Sequence, residues 1–274
     1  MLIVSGIEEV RYYRYGLSVV HPPRRVATQS DRDRARALGG EDISFESQGT
    51  TLRGTFFAPK NGVVLVMAHG LGEDRFRWLG DVDMLTRHGY GALIFDARAH
   101  GESGGDTATW GDLEQRDVRA AIDFVEPRAT KIVGAGFSVG SSAVFLEAAS
   151  DERVRAIVIE ALWTSIDDEM EAKAGTRGLF SHYPVMVAMK RNAHIDFTRV
   201  RPIDHASELG ARPKLFVTGS EDSDTPVPVM QRMVAATPDP KRFWIVPGAT
   251  HGTYAKTAPA DYERTLIDFL DRLR

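Results

Sequence analysis

KIVGAGFSVG, at residues 131–140, begins as a continuous apolar run and breaks into glycines around one serine. A run of this kind is typical of a strand that is buried on both faces, as strands are in parallel sheets. The amphipathic stretch SSAVFLEAAS follows directly at residues 141–150. The sequence therefore predicts a buried strand, a tight turn that carries Ser138, and a helix, which together form the repeating unit of an α/β fold.

The same alternation extends along the chain in both directions. EDISFES and TLRGTFFAP, separated by QGT, predict an antiparallel hairpin at the start of the sheet. Further buried strands are predicted at VVLVMAH, GALIFD, RAIVIEA, PKLFVTGS and KRFWIVPG, with late helices near 226–236 and 259–273. We expect one domain over residues 41–274, built on a mostly parallel, eight-stranded sheet flanked by helices. Residues 1–40, with RYYRYG and HPPRR, have no clear period and are interpreted as an outer N-terminal arm.

One interval interrupts the alternation of strands and helices. Residues 162–205 contain several aromatic residues and methionines but no run typical of a buried strand. This pattern predicts a small helical excursion over the sheet edge after the sixth strand. An ordinary crossover and a small lid that shapes a pocket both fit it, because long connections in compact domains are often functional.

Composition and charge exclude several classes of function. The 274 residues include no cysteine, which excludes thiol nucleophiles, disulfides and cysteine metal sites. A formal net charge of −4 gives no reason to expect nucleic acid as a partner. No stretch approaches the roughly 20 apolar residues of a membrane-spanning helix. We expect a soluble, cytoplasmic protein. Contact of the N-terminal arm with an anionic membrane surface is an alternative that stays open, and the sequence specifies no oligomeric state.

The chemistry expected of Ser138 follows from its surroundings. GFSVG, between a buried strand and a helix, matches the G-x-S-x-G nucleophile elbow, in which glycines leave room for a tight turn that raises the serine hydroxyl above the sheet. The free amides at the N-terminus of the following helix favour developing negative charge there. A serine hydroxyl is a poor nucleophile at neutral pH, so it needs a base beside it and an acid that orients the base.

The candidate base and acid follow the last two predicted strands. His251 lies in VPGATHGTY, just past the final strand, and Asp222 lies in FVTGSEDSDTP, just past the strand before it. Glu221 and Asp224 are close competitors in the same acidic loop. Glu160, at the end of RAIVIEA, is a further candidate for the acid.

The order Ser138, Asp222, His251 resembles that of the α/β-hydrolase superfamily, within its branch of bacterial serine esterases and acyl-peptidase-like hydrolases. The resemblance covers about residues 41–274. Four further motifs carry it: HGLG at 69–72, DARAHGESGG at 96–105, GSEDSDTP at 219–226 and GATHG at 248–252. Alanine stands at position 99, where the family usually has glycine. The resemblance implies an α/β-hydrolase fold with a minimal cap, and the acid-loop motif favours Asp222 over its neighbours.

The resemblance also implies roles for residues and a class of reaction. The backbone amides of Leu71 and Val139 would form the oxyanion hole, and no cofactor or metal is needed. The expected substrates are small-molecule carboxylic esters with small to medium acyl chains. Aminopeptidase- or acyl-peptidase-like activity, thioester cleavage and carbon–carbon bond cleavage stay open, and a non-catalytic binding module is a further alternative. The candidate substrate-binding residues are Trp163, Phe180, Tyr183 and Met186, which equally fit the core of the crossover.

Overall fold

The computed structural model describes residues 2–174, 183–194 and 199–273. Its strands are β1 Glu41–Ser47, β2 Thr50–Phe57, β3 Val63–Ala68, β4 Gly91–Phe95, β5 Lys131–Phe137, β6 Val154–Glu160, β7 Lys214–Gly219 and β8 Lys241–Val246. They form one sheet in the order β1-β2-β4-β3-β5-β6-β7-β8. β2 pairs antiparallel with β1 and β4, and the other pairings are parallel. This confirms the predicted eight-stranded, mostly parallel sheet.

Helices cover both faces of the sheet and its carboxyl edge. The α-helices are α1 Leu2–Val20, α2 Gln29–Ala37, α3 Leu79–Arg87, α4 Glu114–Val125, α5 Val139–Ser150, α6 Ile166–Ala174, α7 Tyr183–Ala193, α8 Val227–Ala236, α9 Tyr254–Thr257 and α10 Pro259–Asp271. Short 3₁₀ helices lie at Arg75–Trp78, Glu126–Arg128 and Pro202–Leu209. Among the described residues, no helix is both long and apolar enough to cross a membrane.

The central strands contribute side chains to two separate cores, one on each face of the sheet. In β3, Val63, Leu65 and Met67 pack with side chains of α3 and α10, whereas Val64 and Val66 pack on the other face with α4 and α5. All six residues of β3 are buried, as the continuous apolar run predicts. This burial on two faces fixes the strands and, with them, the loops that leave their carboxyl ends.

The N-terminal 40 residues, in which the sequence shows no clear period, contain the helices α1 and α2. α1 packs closely on α7: a Cβ added at Gly16 would lie 2.7 Å from the Ala188 Cβ, so only glycine permits this approach. Trp110 Nε1 donates a hydrogen bond to the Val19 carbonyl at 3.0 Å, which ties the end of α1 to the main domain. These contacts join parts of the chain that are distant in sequence, so local periodicity did not reveal the helix.

A third apolar cluster, the cap cluster, lies over the carboxyl edge of the sheet. Its buried members are Val19, Val20, Trp110, Val139, Trp163, Ile166, Met170, Val185, Met189, Ala193 and Val200. Tyr12, Leu71, Met186 and Val229 are partly buried and pack against it. α1, α6 and α7 therefore cover the edge at which the functional loops end, and α6 and α7 belong to the predicted excursion.

Candidate active site

Ser138 occupies a strained turn between β5 and α5. Its backbone angles are φ 54° and ψ −119°, a region that costs a non-glycine residue about 1–3 kcal/mol. Gly140 makes the turn possible, because a Cβ there would collide with the carbonyl oxygen of Ala68 in the neighbouring strand. The turn is further held by the Ser138 amide, which donates to the Glu160 carbonyl at 2.9 Å. Strain maintained in this way is typical of functional positions.

The structure brings Ser138, His251 and Asp222 together, from the loops after β5, β8 and β7. His251 Nε2 lies 3.2 Å from Ser138 Oγ. The other ring nitrogen, Nδ1, lies 3.1 Å from Asp222 Oδ1 and 3.0 Å from Oδ2. The distances fit a serine hydroxyl, a histidine that can accept its proton, and a carboxylate that holds the histidine ring.

Asp222 is held as a fully buried carboxylate. Its side chain has 0% exposure, and its Oδ1 accepts hydrogen bonds from the amides of Thr225 at 2.8 Å and Asp224 at 3.0 Å. Burial alone would raise the pKa of Asp222, but the hydrogen bond and charge of His251, with the Thr225 amide and the Tyr254 hydroxyl, hold that pKa below its ordinary value. The group is therefore ionised at neutral pH and can stabilise a positive imidazolium.

Sequence reasoning missed Tyr254 as a member of this site. Its hydroxyl donates to Asp222 Oδ2 at 2.6 Å, and the residue is 1% exposed. Burial and the Asp222 charge raise the pKa of Tyr254, so that it stays a neutral donor. The sequence offered one indication of this role, because Tyr254 lies only three residues after His251. Only the fold shows that the Tyr254 hydroxyl reaches the acid loop.

The two proposed oxyanion donors follow the carboxyl ends of two neighbouring strands, β5 and β3. Val139 is the first residue of α5, and the amides of a helix's first turn have no carbonyl partner within the helix. Leu71 lies in the turn that follows β3, a strand hydrogen-bonded directly to β5. The side chains of both residues belong to the cap cluster or pack against it. Their amides are therefore available at the edge of an apolar surface.

His69 and His100 support the loops around the site. His69 Nε2 accepts a hydrogen bond from the Ala97 amide at 3.1 Å, so the ring proton lies on Nδ1, which donates to the Gly70 carbonyl at 2.7 Å. Burial, reinforced by His69, lowers the pKa of His100 to about 3. The two rings pack edge to face at 4.9 Å between centroids. Both ring nitrogens of His69 and Nδ1 of His100 bond backbone groups of these loops and not Ser138.

The charged side chains of the loop at 96–105 form ion pairs with residues outside the loop. Asp96 accepts hydrogen bonds from the Arg75 amide at 2.7 Å and from its guanidinium at 2.5 Å. Arg98 forms a buried ion pair with Asp117 at 2.6 Å. Within residues 2–174, 183–194 and 199–273, no group of three or more histidine and acidic side chains could hold a metal ion. These residues brace the loop next to the site.

The four candidate substrate-binding residues have different positions. Trp163 is fully buried, 5.6 Å from Trp110 between ring centroids, in agreement with the core alternative that the sequence left open. Met186, on α7, is partly buried against the cap cluster and stays a candidate. Phe180 lies outside the described residues, and so does the side chain of Tyr183, the first residue of α7.

A family model shows the relationship of the chain to known proteins. The model described as "Alpha/beta hydrolase family" matches residues 63–266, most of the sheet and all three residues of the site. The chain belongs to the α/β-hydrolase family. The match also covers the turn at Leu71 and the loop at 96–105.

Individual relatives of this α/β hydrolase are distant. The Pyrococcus furiosus esterase Pf2001 has a similar structure, with a TM-score of 0.76 at 20% identity over 93% of this chain and 98% of that one. The uncharacterised Bacillus subtilis protein YqkD is 21% identical over 82% of this chain and 77% of its own. The quorum-quenching protein AidA of Acinetobacter baumannii is 30% identical over 45% of this chain and 44% of its own. The structural likeness shows the fold.

The remaining acid candidate, Glu160, belongs to a separate buried cluster in this hydrolase. Tyr262 OH lies 2.7 Å from Glu160 Oε1 and 2.8 Å from Asp81 Oδ1. One hydroxyl proton cannot serve two carboxylates, so one of these carboxyl groups holds a proton of its own. Burial, and then the Asp81 charge, raise the pKa of Glu160 to about 7 against the opposing charge of Arg77. Asp222, not Glu160, is the carboxylate that meets His251.

The Glu160 cluster predicts a dependence of stability on pH. Because folding raises the pKa of Glu160 above its value in the unfolded chain, the native state binds this proton more tightly. The resulting stabilisation is complete below a pH of about 4.3 and is lost as the pH rises towards about 7. We expect the free energy of unfolding to fall by about 3 kcal/mol across this window.

Urea unfolding of the wild type and of Glu160→Gln at a series of pH values measures this loss. Glutamine has the shape of the protonated side chain but does not titrate, so the variant should show a flatter profile between pH 4.3 and 7. Equal pH dependence in the two proteins would contradict the assignment of the proton to this cluster.

Proposed function

We propose that the chain is a serine hydrolase that cleaves carboxylic esters with small to medium acyl chains. The observation that carries the proposal is the continuous hydrogen-bonded series from Ser138 through His251 to the buried Asp222 carboxylate. The similarity in fold to the Pyrococcus furiosus esterase supports the reaction class.

The proposed reaction proceeds in two acyl-transfer steps. Ser138 Oγ attacks the ester carbonyl carbon while its proton passes to His251 Nε2, and the carbonyl electron pair moves to the oxygen beside the Leu71 and Val139 amides. The tetrahedral intermediate then collapses: the carbonyl re-forms, the ester C–O bond breaks and His251 protonates the departing alcohol. Water, deprotonated by the same ring, cleaves the acyl-enzyme by the reverse path. Asp222 keeps the proton of the neutral ring on Nδ1 and balances the charge of the imidazolium.

The proposed preference for an apolar acyl group rests on the side chains around the oxyanion amides. Leu71 packs against the cap cluster and Val139 is part of it, with partly exposed Met186, Val229 and Tyr12 on the same surface. An acyl chain that leaves the carbonyl carbon along this surface would bury apolar area, worth about 0.8 kcal/mol per methylene. The rest of the cluster is fully packed, which limits the length of chain that the surface can take.

Hydrolysis of p-nitrophenyl esters, from acetate to palmitate, tests the proposal. We expect the highest kcat/KM on short to medium acyl chains and a fall of at least about tenfold at palmitate, because a chain longer than the apolar surface must displace packed side chains of the cap cluster, which costs free energy in the transition state. A fluorophosphonate probe, which requires an activated serine, should label the same preparation stoichiometrically. A folded protein that neither turns over any ester nor takes up the probe would contradict the proposal.

A further inference from the structure

Glu73 links the oxyanion loop to the partly buried cation of Arg77. Its Oε2 accepts a hydrogen bond from the Gly70 amide at 2.9 Å. The same carboxylate bonds the Arg77 guanidinium, with Oε1 and Oε2 at 2.7 and 3.0 Å from Nη1. Gly70 immediately precedes Leu71, so the Gly70 carbonyl and the proposed Leu71 N–H donor belong to the same peptide plane. The Glu73 carboxylate therefore holds one side of the peptide that carries this donor.

Arg77 in turn contacts the residue next to the nucleophile. Its guanidinium carbon lies 3.8 Å from the centre of the Phe137 ring, a stacking that the ring's negative face favours. The Phe137 ring lies 4.8 Å from the His251 ring between centroids. Gly70 also packs on this ring, since a Cβ there would lie 2.9 Å from Phe137 Cδ1. The Phe137 ring therefore contacts the cation, the oxyanion loop and the base.

The Glu73–Arg77 pair is more sheltered than an ordinary surface ion pair. The Arg77 side chain is 15% exposed and that of Glu73 is 32% exposed. A second acid, Glu160, lies 3.8 Å from Arg77 Nη2. Exposed pairs contribute little because water screens them, but the partial burial of the guanidinium strengthens its attraction to the Glu73 carboxylate. Arg77 therefore lies between two acidic side chains, Glu73 and Glu160, which together fix its position.

Resting on the proposed esterase function, we propose that Glu73 and Arg77 are positioning residues that hold the oxyanion loop and the Phe137 ring in register around Ser138. Neither side chain contacts the reacting atoms. Their effect passes through the Gly70–Leu71 peptide, whose N–H meets negative charge only in the transition state. Loss of the pair should therefore lower kcat and leave KM nearly unchanged.

The variant Glu73→Ala, assayed on the best p-nitrophenyl ester, tests this inference. We expect kcat to fall about 10- to 100-fold, less than the loss of a whole oxyanion donor, with KM within about twofold of the wild type. Glu73→Gln keeps an acceptor for the Gly70 amide and should recover most of the rate. Glu263→Ala is the matched control: it removes a carboxylate of 34% exposure that pairs with Arg87 at 3.1 Å, and it should leave both constants unchanged.

Several results would overturn the inference. These are a wild-type kcat in Glu73→Ala, a rise in KM alone, or a Glu73→Gln variant as slow as Glu73→Ala. If thermal unfolding shows that Glu73→Ala does not fold, the variant Glu73→Asp tests the inference instead. Aspartate keeps the negative charge, but its side chain is one methylene too short to reach the Gly70 amide. We therefore expect Glu73→Asp to show the same fall in kcat. A wild type without turnover or probe labelling rejects the esterase itself, whereas an active wild type with unaffected Glu73 variants rejects only the positioning role.

Discussion

Replacement of Ser138 by alanine should lower kcat for ester hydrolysis by at least about 10⁴-fold and abolish labelling by a fluorophosphonate probe. The substitution removes one oxygen atom, the only atom of residue 138 that meets His251, at 3.2 Å from Nε2. Without it no acyl-enzyme forms, and His251 can act only on water. The oxyanion amides stay in place, so a small residual rate above the uncatalysed reaction is expected.

Ser142→Ala is the matched control for this substitution. Ser142 lies one turn further along α5, is fully buried, and its Oγ has no hydrogen-bond partner among the described residues. Its loss should leave kcat and probe labelling unchanged. Thermal unfolding followed by circular dichroism should show both variants folded. Probe labelling or turnover that survives in Ser138→Ala would place the nucleophile elsewhere.

The parallel strands were predictable because their signal is local. β3 and β5 read as continuous apolar runs, since each is buried on both faces of the sheet. Their carboxyl ends meet at one edge, so residues placed just after different strands were expected to approach one another. The structure brings Ser138, Asp222 and His251 together at that edge, from positions up to 113 residues apart.

What the sequence could not predict depends on contacts between distant elements. Tyr262 bonds Asp81 across 181 residues and Glu160 across 102. Each of these residues alone fits an ordinary helix or strand end. α1 escaped prediction for the same reason, because close packing at Gly16 and the Trp110 bond stabilise it from outside its own segment. A periodicity reports which face of an element is apolar, but it does not report which other element covers that face.

The resemblance of GSEDSDTP to the family's acid loop favoured Asp222 among the acidic residues of that loop, and the structure shows how Asp222 differs from its neighbours. Glu221 is exposed, whereas Asp222 is fully buried and faces His251. Asp224 instead donates its backbone amide to Asp222 Oδ1. In the acid loop, the side chain of Asp222 therefore serves the site, and the backbone amide of Asp224 orients that side chain.

Replacement of Asp222 by asparagine should lower kcat by about 10³- to 10⁴-fold while the fold is kept. Oδ1 faces two amide donors, from Asp224 and Thr225, so the asparagine oxygen will occupy that position. Its amide nitrogen then takes the place of Oδ2, where the Tyr254 hydroxyl can turn to accept from it. Because this nitrogen lies at the Oδ2 position, 3.0 Å from His251 Nδ1, we expect it to donate to Nδ1, which moves the ring proton to Nε2. A ring protonated there cannot take the proton of Ser138.

A substitution at the neighbouring Glu221 separates the effect of Asp222 on the His251 tautomer from a general effect of negative charge. Glu221→Gln removes a negative charge from the adjacent, exposed position and should leave kcat within about twofold, because screened surface charges contribute little. The measurement is kcat/KM on the best p-nitrophenyl ester, with the rate of fluorophosphonate labelling as a second readout that depends on the same activated serine. Asp222→Asn within tenfold of the wild type would show that another group holds the His251 ring. Strong slowing in Asp222→Asn alone assigns the orienting carboxylate to Asp222, because Tyr254 and the two loop amides remain able to bond the asparagine.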